Sequence, residues 1–162
     1  MENLCLLSKL FLDHKNLSSD MDPFLFYIAC EYDETGYHIF GYFSKEKDFS
    51  KPLAGQDSEQ RNPNNLSCIL VLPFYQRKGY GKFLISFSYE LGKLEGLHGT
   101  PERPLSDLGH KTYVSWWTWK LLTFLEEYKD NEISIDALAD RTGILPKDIQ
   151  TLFDSFKILR YH

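Results

Sequence analysis

The stretch with the clearest chemical meaning joins an apolar run, residues 68–73, to the sequence Gln76-Arg77-Lys78-Gly79-Tyr80-Gly81-Lys82. Glycines at these two positions let the backbone bend tightly and approach a ligand closely. A helix that opens at about Tyr80 presents free N–H groups with partial positive charge, and three cationic side chains share the turn. The pattern predicts a strand, a turn and a helix that together hold a pyrophosphate group.

The order of the glycines narrows the class of ligand. The pattern Gln-x-x-Gly-x-Gly matches neither the Rossmann fingerprint nor the phosphate loop that ends in Lys-Ser or Lys-Thr. Dinucleotides and nucleoside triphosphates are therefore disfavoured, and coenzyme A is the pyrophosphate ligand that we expect.

Composition limits the setting of this unit. A chain of 162 residues, 43% of them hydrophobic, buries one core and is too short for two independent domains. The net charge of -5 gives no general attraction to nucleic acid or anionic membrane. The three cysteines and five histidines lack metal-ligand spacing, and no apolar run approaches the roughly 18 residues of a membrane span. We expect a soluble, intracellular protein without a metal site.

The elements before the turn follow from periodicity. Apolar residues from Leu4 onwards recur at helical spacing and predict an amphipathic helix that ends near His14. A β-prone run from Phe24, a turn at Thr35-Gly36 and a second run over residues 37–43 predict a hairpin. The polar stretch 48–65 predicts an exposed, mobile loop.

The elements after the turn are two longer helices. The first runs from about Tyr80 to Glu95, with an apolar face made of Phe83, Leu84, Phe87 and Leu91. A proline-punctuated loop over residues 100–105 follows, and Ser106-Asp107 caps the second helix. We expect its large apolar residues in the core, namely Trp116, Trp117, Trp119, Leu121, Leu122 and Leu125.

The tail reads as a small winged-helix-like unit. Residues 135–139 and 146–149 predict two short helices separated by Gly143, the first capped by Asp136 and the second started by Pro146, with residues 158–161 as a final strand. From Asp130 to His162 there are six acids and four bases, the opposite of the balance that phosphate contact requires. The unit is therefore predicted to be structural.

Several strings together resemble a known family. They are NLCLLSKLFLDHK (3–15), PFLFY (23–27), GYFSKEK (41–47), CILVLPFYQRKGYGK (68–82), FSYEL (87–91), PERPLSDLG (101–109) and ILRY (158–161). The chain closely resembles the catalytic core of the MYST family of histone (lysine) acetyltransferases. This resemblance implies an α/β (α+β) fold, with a GNAT-like core over residues 1–129 and the winged-helix-like segment over 130–162 of the same catalytic domain.

The resemblance also implies an activity and a set of partners. The family transfers acetyl from acetyl-CoA to lysines of histone tails, works in the nucleus and assembles with chromatin-complex subunits. Sequence-specific nucleic-acid binding and membrane association are not implied. The zinc-binding module that relatives carry ahead of the first shared helix is not in this sequence, so no metal is assigned.

The family's site residues transfer position by position. Its general base falls on Glu102, its active-site cysteine on Cys68 and its self-acetylated lysine on Lys15. Its coenzyme site falls on the backbone of Ile69, Leu70 and Val71, on Gln76 through Lys82, and on Ser106 and Ser115.

The residues supply a chemical reason for these roles. A lysine with a pKa of about 10.4 is almost wholly ammonium near neutral pH, so attack on a thioester requires a proton acceptor. Partial desolvation of Glu102 between two prolines would raise its pKa, and the neighbouring Arg103 would lower it. Cys68 is either a covalent acetyl carrier or a small residue that packs beside the acetyl group, and we favour direct attack by the amine.

Two other functions stay open. A small-molecule N-acetyltransferase of the GNAT type would share the glycine turn and has no reason to carry the string at 101–109. An inactive, truncated module that binds chromatin partners through its tail would not need coenzyme A. Assays that offer histone tails and small amines separately distinguish the first alternative from a histone acetyltransferase. A measurement of coenzyme A binding distinguishes the second.

Overall fold

The strands and helices follow one another in the order that the sequence predicts, with two short strands added that the sequence did not predict. The computed structural model describes Asn3, Leu6 and residues 23–47, 64–128 and 132–158. Within these residues the strands are β1 (Phe24–Asp33), β2 (Gly36–Glu46), β3 (Asn64–Leu66), β4 (Cys68–Val71) and β5 (Thr100–Pro101). The helices are α1 (Tyr80–Leu94), α2 (Asp107–Glu127), α3 (Ile135–Thr142) and α4 (Pro146–Ser155), with a short 3-10 turn over Pro73–Tyr75.

Two early predictions fall largely outside this range. Asn3 and Leu6 are helical, but the rest of the predicted N-terminal helix lies outside the described residues. The same holds for residues 48–63 of the predicted polar loop.

The first sheet is antiparallel, with the strand order β1-β2-β4. The predicted hairpin is confirmed: β1 and β2 pair from Phe24 opposite Glu46 to Asp33 opposite Gly36. At the turn, the Asp33 carboxylate accepts hydrogen bonds from the Thr35 hydroxyl (2.6 Å) and amide (2.8 Å) and contacts His38. These bonds, that of the Thr35 hydroxyl first, lower the pKa of Asp33 to about 2.

A second sheet, β3 with β5 in parallel, was not predicted. Asn64 and Asn65 are buried strand residues, so the prediction of an exposed loop up to residue 65 is wrong at its end. Thr100 and Pro101 likewise form a buried strand where a loop was predicted. The Asn65 amide donates to the Ser88 hydroxyl (3.3 Å), and a Cβ at Gly99 would lie 2.5 Å from Asn65 Cγ. The polar stretch is buried because a side chain of α1 and the bare backbone at Gly99 accommodate the amide.

Helix α1 is buried on a broader surface than predicted. Leu84 packs with Phe40 and Phe43 of β2, whereas Ile85 and Tyr89 belong to a second cluster shared with the other helices. Phe83 and Phe87, predicted to lie on the apolar face, are 55% and 43% exposed. They lie along one wall of an apolar cavity between α1 and β1. The helix therefore has apolar contacts on two sides, whereas the sequence predicted one apolar face.

Helix α2 carries the aromatic centre of the core. Trp116 stacks on Tyr89 with ring centroids 4.5 Å apart, and the Trp117 indole N–H donates to the Tyr89 hydroxyl at 2.8 Å. The cluster also takes in buried residues of the tail, namely Leu138, Ala139, Ile144, Ile149, Leu152 and Phe153. Trp119 and Leu122 are exposed on the outer side of the helix, which corrects the expectation that they are core.

No helix within the described ranges is long and apolar enough to cross a membrane.

The tail helices begin almost as predicted. Pro146 opens α4 as expected, but the cap of α3 is Ser134, whose hydroxyl accepts from the Ala137 amide at 3.1 Å. The predicted cap, Asp136, lies inside the first turn, where its charge favours the helix N-terminus. Ile158 is not in a strand, and the remainder of the predicted final strand lies outside the described residues.

The packing between β2 and β4 gives a direct test. A Cβ at Gly41 would lie 2.5 Å from the Leu70 carbonyl oxygen and 3.3 Å from Leu84 Cδ1. We expect Gly41→Ala to lower the free energy of unfolding by about 1–3 kcal/mol, measured by chemical denaturation. Gly92→Ala is the control, because its new Cβ would meet nothing closer than 3.7 Å. In a helix interior this change should be neutral or stabilising by up to about 1 kcal/mol, and equal losses in both variants would contradict the packing argument.

Candidate active site

Strand β4 presents one free edge to the site. It pairs with β2 from Ser44 opposite Cys68 to Gly41 opposite Val71, and it ends the strand order of its sheet. The Leu72 amide donates to the Phe40 carbonyl at 2.9 Å. Because backbone groups alternate in direction along a strand, those of Leu70 also face β2, and those of Ile69 and Val71 face the opposite edge. Among the described strands, none pairs with that edge.

The turn after β4 has the conformation that its glycine requires. Gly79 has φ of 92°, in the left-handed region, and a Cβ there would meet nothing within 4 Å. Arg77 also has a positive φ, of 62°, which is uncommon for a residue with a side chain. The Gln76 side-chain amide donates to the Val71 carbonyl at 3.0 Å and ties the turn to the end of the strand. The predicted strand, turn and helix are therefore confirmed as a structural unit.

Helix α1 begins without a side-chain cap. Its first intrahelical bond runs from the Phe83 amide to the Gly79 carbonyl at 3.0 Å, so the N–H groups of Tyr80, Gly81 and Lys82 precede it. The first turn contains no acidic residue. The Lys78 and Lys82 side chains are exposed on the same turn. This end of the helix is electropositive and open, as an anion site requires.

The first turn of α1 lies against α2. A Cβ at Gly81 would lie 3.4 Å from Thr112 Cγ2, in ordinary contact distance. Ser106 and Ser115 lie on either side of Thr112 in the sequence and are both exposed. The Ser106 hydroxyl caps α2 by accepting from the Gly109 amide at 3.1 Å. The structure therefore puts the part of α2 between the two predicted serines beside the glycine turn.

Glu102 follows β5 directly. Its amide donates to the Leu66 carbonyl at 2.9 Å, and Leu66 lies two residues before Cys68. The structure thus brings the backbone of the candidate base next to the chain that leads into the candidate cysteine. Glu102 is exposed, so the described residues do not provide the partial desolvation that the sequence led us to expect. Cys68 is half-buried and is not in a disulfide.

Beside Glu102 the chain is held by a charged contact. Arg103, expected to act on Glu102, donates from Nη2 to Asp148 Oδ1 at 2.8 Å. A cavity of about 580 Å³ adjoins this loop, and its walls are Arg103, Pro104, Leu105, Asp107, His110 and Lys111.

Asp148 has no place in the sequence-based site. It counted there only as one of the acids of the tail. Its local signal is a carboxylate in the first turn after Pro146, which also occurs in solvated helices. Lys15 lies outside the described residues. The described ranges hold no group of three or more His, Cys, Asp or Glu side chains placed to bind a metal ion.

Comparison with known proteins gives consistent matches over the whole chain. A sequence model of the MOZ/SAS family matches residues 1–162. Histone acetyltransferase of the MYST family 1 from Arabidopsis thaliana is 54% identical over 99% of this chain, and histone acetyltransferase ESA1 from Saccharomyces cerevisiae is 51% identical over the same share. Histone acetyltransferase KAT6A from Homo sapiens is 48% identical, again over 99% of the chain.

The matched regions are parts of longer proteins. The chain spans 33% of the Arabidopsis and yeast relatives and 7% of the human relative. The mixed α/β fold, with its strand, glycine turn and helix, agrees with the predicted GNAT-like class. The family match over every residue and the identities near 50% confirm the resemblance, and the chain belongs to the MOZ/SAS, or MYST, family.

Proposed function

We propose that the protein transfers the acetyl group of acetyl-CoA to the ε-amino group of lysines in histone tails. The observation that carries this proposal is one run of chain: Leu66, which accepts from the Glu102 amide, leads into β4 with its free edge, and β4 leads through the turn at Gly79 into the uncapped start of α1. Relatives about 50% identical are named histone acetyltransferases, which supports the same activity here.

The coenzyme binds along the path from the turn to the strand. The N–H groups of Tyr80, Gly81 and Lys82 receive the pyrophosphate oxygens, and the cations of the turn add charge-assisted bonds. The amide-bearing arm of the coenzyme lies along β4, where Ile69 offers its N–H and C=O groups, Val71 offers its N–H group and Leu70 contributes its position in the strand. The hydroxyls of Ser106 and Ser115 bind the coenzyme from α2. These assignments follow the exposed faces described above.

Glu102 is the general base in this scheme. It takes a proton from the substrate ammonium, and the freed nitrogen attacks the thioester carbonyl. The C–N bond forms as the C–S bond breaks, and the coenzyme leaves as a thiolate that takes up the proton lost by the attacking nitrogen as it becomes an amide. Since Glu102 is exposed in the unbound protein, it is the bound substrate itself that excludes water from the carboxylate.

Cys68 packs beside the acetyl group and does not carry it. The cysteine is half-buried on β4, directly ahead of the edge that receives the coenzyme. The N–H groups of Ile69 and Val71 are fixed by the sheet, so the one that lies nearer the thioester polarises its carbonyl with little reorganisation. The amine therefore attacks the thioester directly, without an acetyl-Cys68 intermediate.

The partners follow from the substrate. Histone tails are cationic, and the net charge of -5 suits them better than it suits nucleic acid. We place the protein in the nucleus, in complexes with other chromatin proteins, and we retain Lys15 as a site of self-acetylation.

An assay with separate substrates tests the function. Histone-tail peptides and small primary amines are offered with labelled acetyl-CoA, and transfer is followed on each. We expect acetylation of the peptides well above that of the amines. Acetylation of the amines alone would reject the histone proposal and favour a small-molecule acetyltransferase.

A pair of glycine variants tests the coenzyme site. Gly79→Glu and Gly96→Glu both put a side chain on left-handed backbone with open space around it, at opposite ends of α1. Each should lose about 1–2 kcal/mol of stability. Only Gly79→Glu places a negative charge at the phosphates, so it should weaken coenzyme A binding at least tenfold by calorimetry, about 1.4 kcal/mol. Equal affinities in the two variants would contradict the site.

Glu102→Gln tests the base. The variant keeps the shape and loses the proton acceptor, so kcat should fall about 100- to 10,000-fold while coenzyme affinity stays near normal. The deficit should shrink as pH rises toward the lysine pKa of about 10.4, because more substrate arrives deprotonated. Cys68→Ala is the comparison and should keep measurable turnover. Unchanged kcat in Glu102→Gln at neutral pH would reject the base, and a trapped acetyl-Cys68 would reject direct attack.

A further inference from the structure

Two neighbours of Glu102 are bonded to one buried carboxylate. The Thr100 hydroxyl donates to Asp148 Oδ2 at 2.6 Å, and Arg103 Nη2 donates to Asp148 Oδ1 at 2.8 Å. Asp148 is 5% exposed and lies in the first turn of α4. The carboxylate thus links a residue two positions before Glu102 to the residue directly after it, and Asp148 is more than 40 positions away from both in the sequence.

Backbone bonds hold the same segment from two directions. On one side the Glu102 amide is bonded to the Leu66 carbonyl of β3. On the other side the Gly99 amide donates to the Gly143 carbonyl (2.7 Å), and the Leu145 amide donates to the Gly99 carbonyl (3.0 Å). The Asp148 amide is bonded to the Leu145 carbonyl, so the carboxylate belongs to this same frame. Asp148 adds side-chain hydrogen bonds with Thr100 and Arg103 to these backbone bonds.

The charge of Asp148 has a specific effect on Arg103. A buried carboxylate is stable only when donors and a counter-charge compensate it, and these two residues provide both. In return the Arg103 guanidinium, next in sequence to Glu102, is committed to Asp148. A guanidinium without this partner would be free to form an ion pair with the exposed Glu102 carboxylate and occupy it.

The surroundings show that Asp148 acts in a low-dielectric region. Burial, followed by the Asp148 charge, raises the pKa of Tyr113, and Arg103 lowers it. The pKa of Tyr89 is raised chiefly by burial, with Asp148 among the smaller causes. The negative charge is thus felt inside the core between α1, α2 and α4, where interactions are weakly screened.

We propose that Asp148 is a positioning residue for acetyl transfer: it fixes the segment from Thr100 to Arg103 and holds Arg103 away from the Glu102 carboxylate. It does not touch the substrate and acts through Glu102. The inference rests on the proposed role of Glu102 as the base.

The test starts from Asp148→Asn in the full chain, which keeps the shape and removes the charge. We expect kcat to fall about 10- to 100-fold, since small misplacements of a catalytic group have costs of this order. The KM for acetyl-CoA should stay within about twofold, because the glycine turn is untouched. Thr100→Val removes one donor with little change of shape and should show a smaller loss of kcat with the same unchanged KM; it carries the test if Asp148→Asn does not fold.

A control separates positioning from loss of stability. Ser134→Ala removes the N-cap of α3, which belongs to the same tail and lies at the opposite end of that helix from the Gly143 carbonyl bonded to Gly99. It should lower stability by an amount typical of a lost cap and leave kcat of the folded protein unchanged. A fall of kcat in Ser134→Ala equal to that in Asp148→Asn would overturn the proposal.

Combination with Glu102→Gln completes the test. If Asp148 acts through Glu102, Asp148→Asn adds no further loss of kcat in a Glu102→Gln background, in single-turnover experiments with excess enzyme. Gly79→Glu acts through coenzyme binding and should still add its own loss in that background. A full additional loss from Asp148→Asn would overturn the inference while the base assignment stands. Unchanged turnover in Glu102→Gln alone would instead reject the proposed base.

Discussion

The free N–H groups at the start of α1 are the constraint from which the rest of the site follows. A helix start without a side-chain cap is unfavourable unless water or a ligand satisfies it. Here the left-handed Gly79 leaves no side chain to act as cap, and the first turn of the helix has no acid. The unsatisfied donors are fixed in place because Tyr80 stacks on Phe40 of β2, with ring centroids 4.2 Å apart. The core therefore fixes the geometry of these donors, as the proposed anion site requires.

The second sheet joins this anion site to the proposed base. Residues 64–71 form β3 and β4 with Ser67 between them, so one run of chain pairs with β5 at its start and with β2 at its end. Glu102 leaves β5 with its amide bonded to Leu66. Because both halves of the site depend on the same short run, a shift in β3 would move the base relative to the coenzyme edge of β4.

Sequence predicted the parts of the site that are local. The glycine turn, the start of α1 and the Ser106 cap depend on backbone conformation and neighbouring side chains, and all three are present. The β3–β5 pairing was missed because Asn64 and Asn65 have polar side chains, and the burial of Asn65 depends on contacts with Ser88 of α1 and with the bare backbone at Gly99. The exposure of Phe83 and Phe87 on the predicted apolar face was missed since helical periodicity does not show that α1 is packed on two sides. Both errors concern contacts distant in sequence.

The tail illustrates the same limit and explains why it matters for the site. Its acids outnumber its bases, and this count disfavours phosphate contact but treats Asp148 as one charge among several. In the fold, Ile149, Leu152 and Phe153 of α4 share a core with Tyr89 and Trp116, so α4 is held at a fixed position against α1 and α2. Burying a carboxylate on such a helix is costly unless it is paired, and its partners are the two residues that flank Glu102. The geometry of the segment around the proposed base is therefore linked to the apolar packing among α1, α2 and α4.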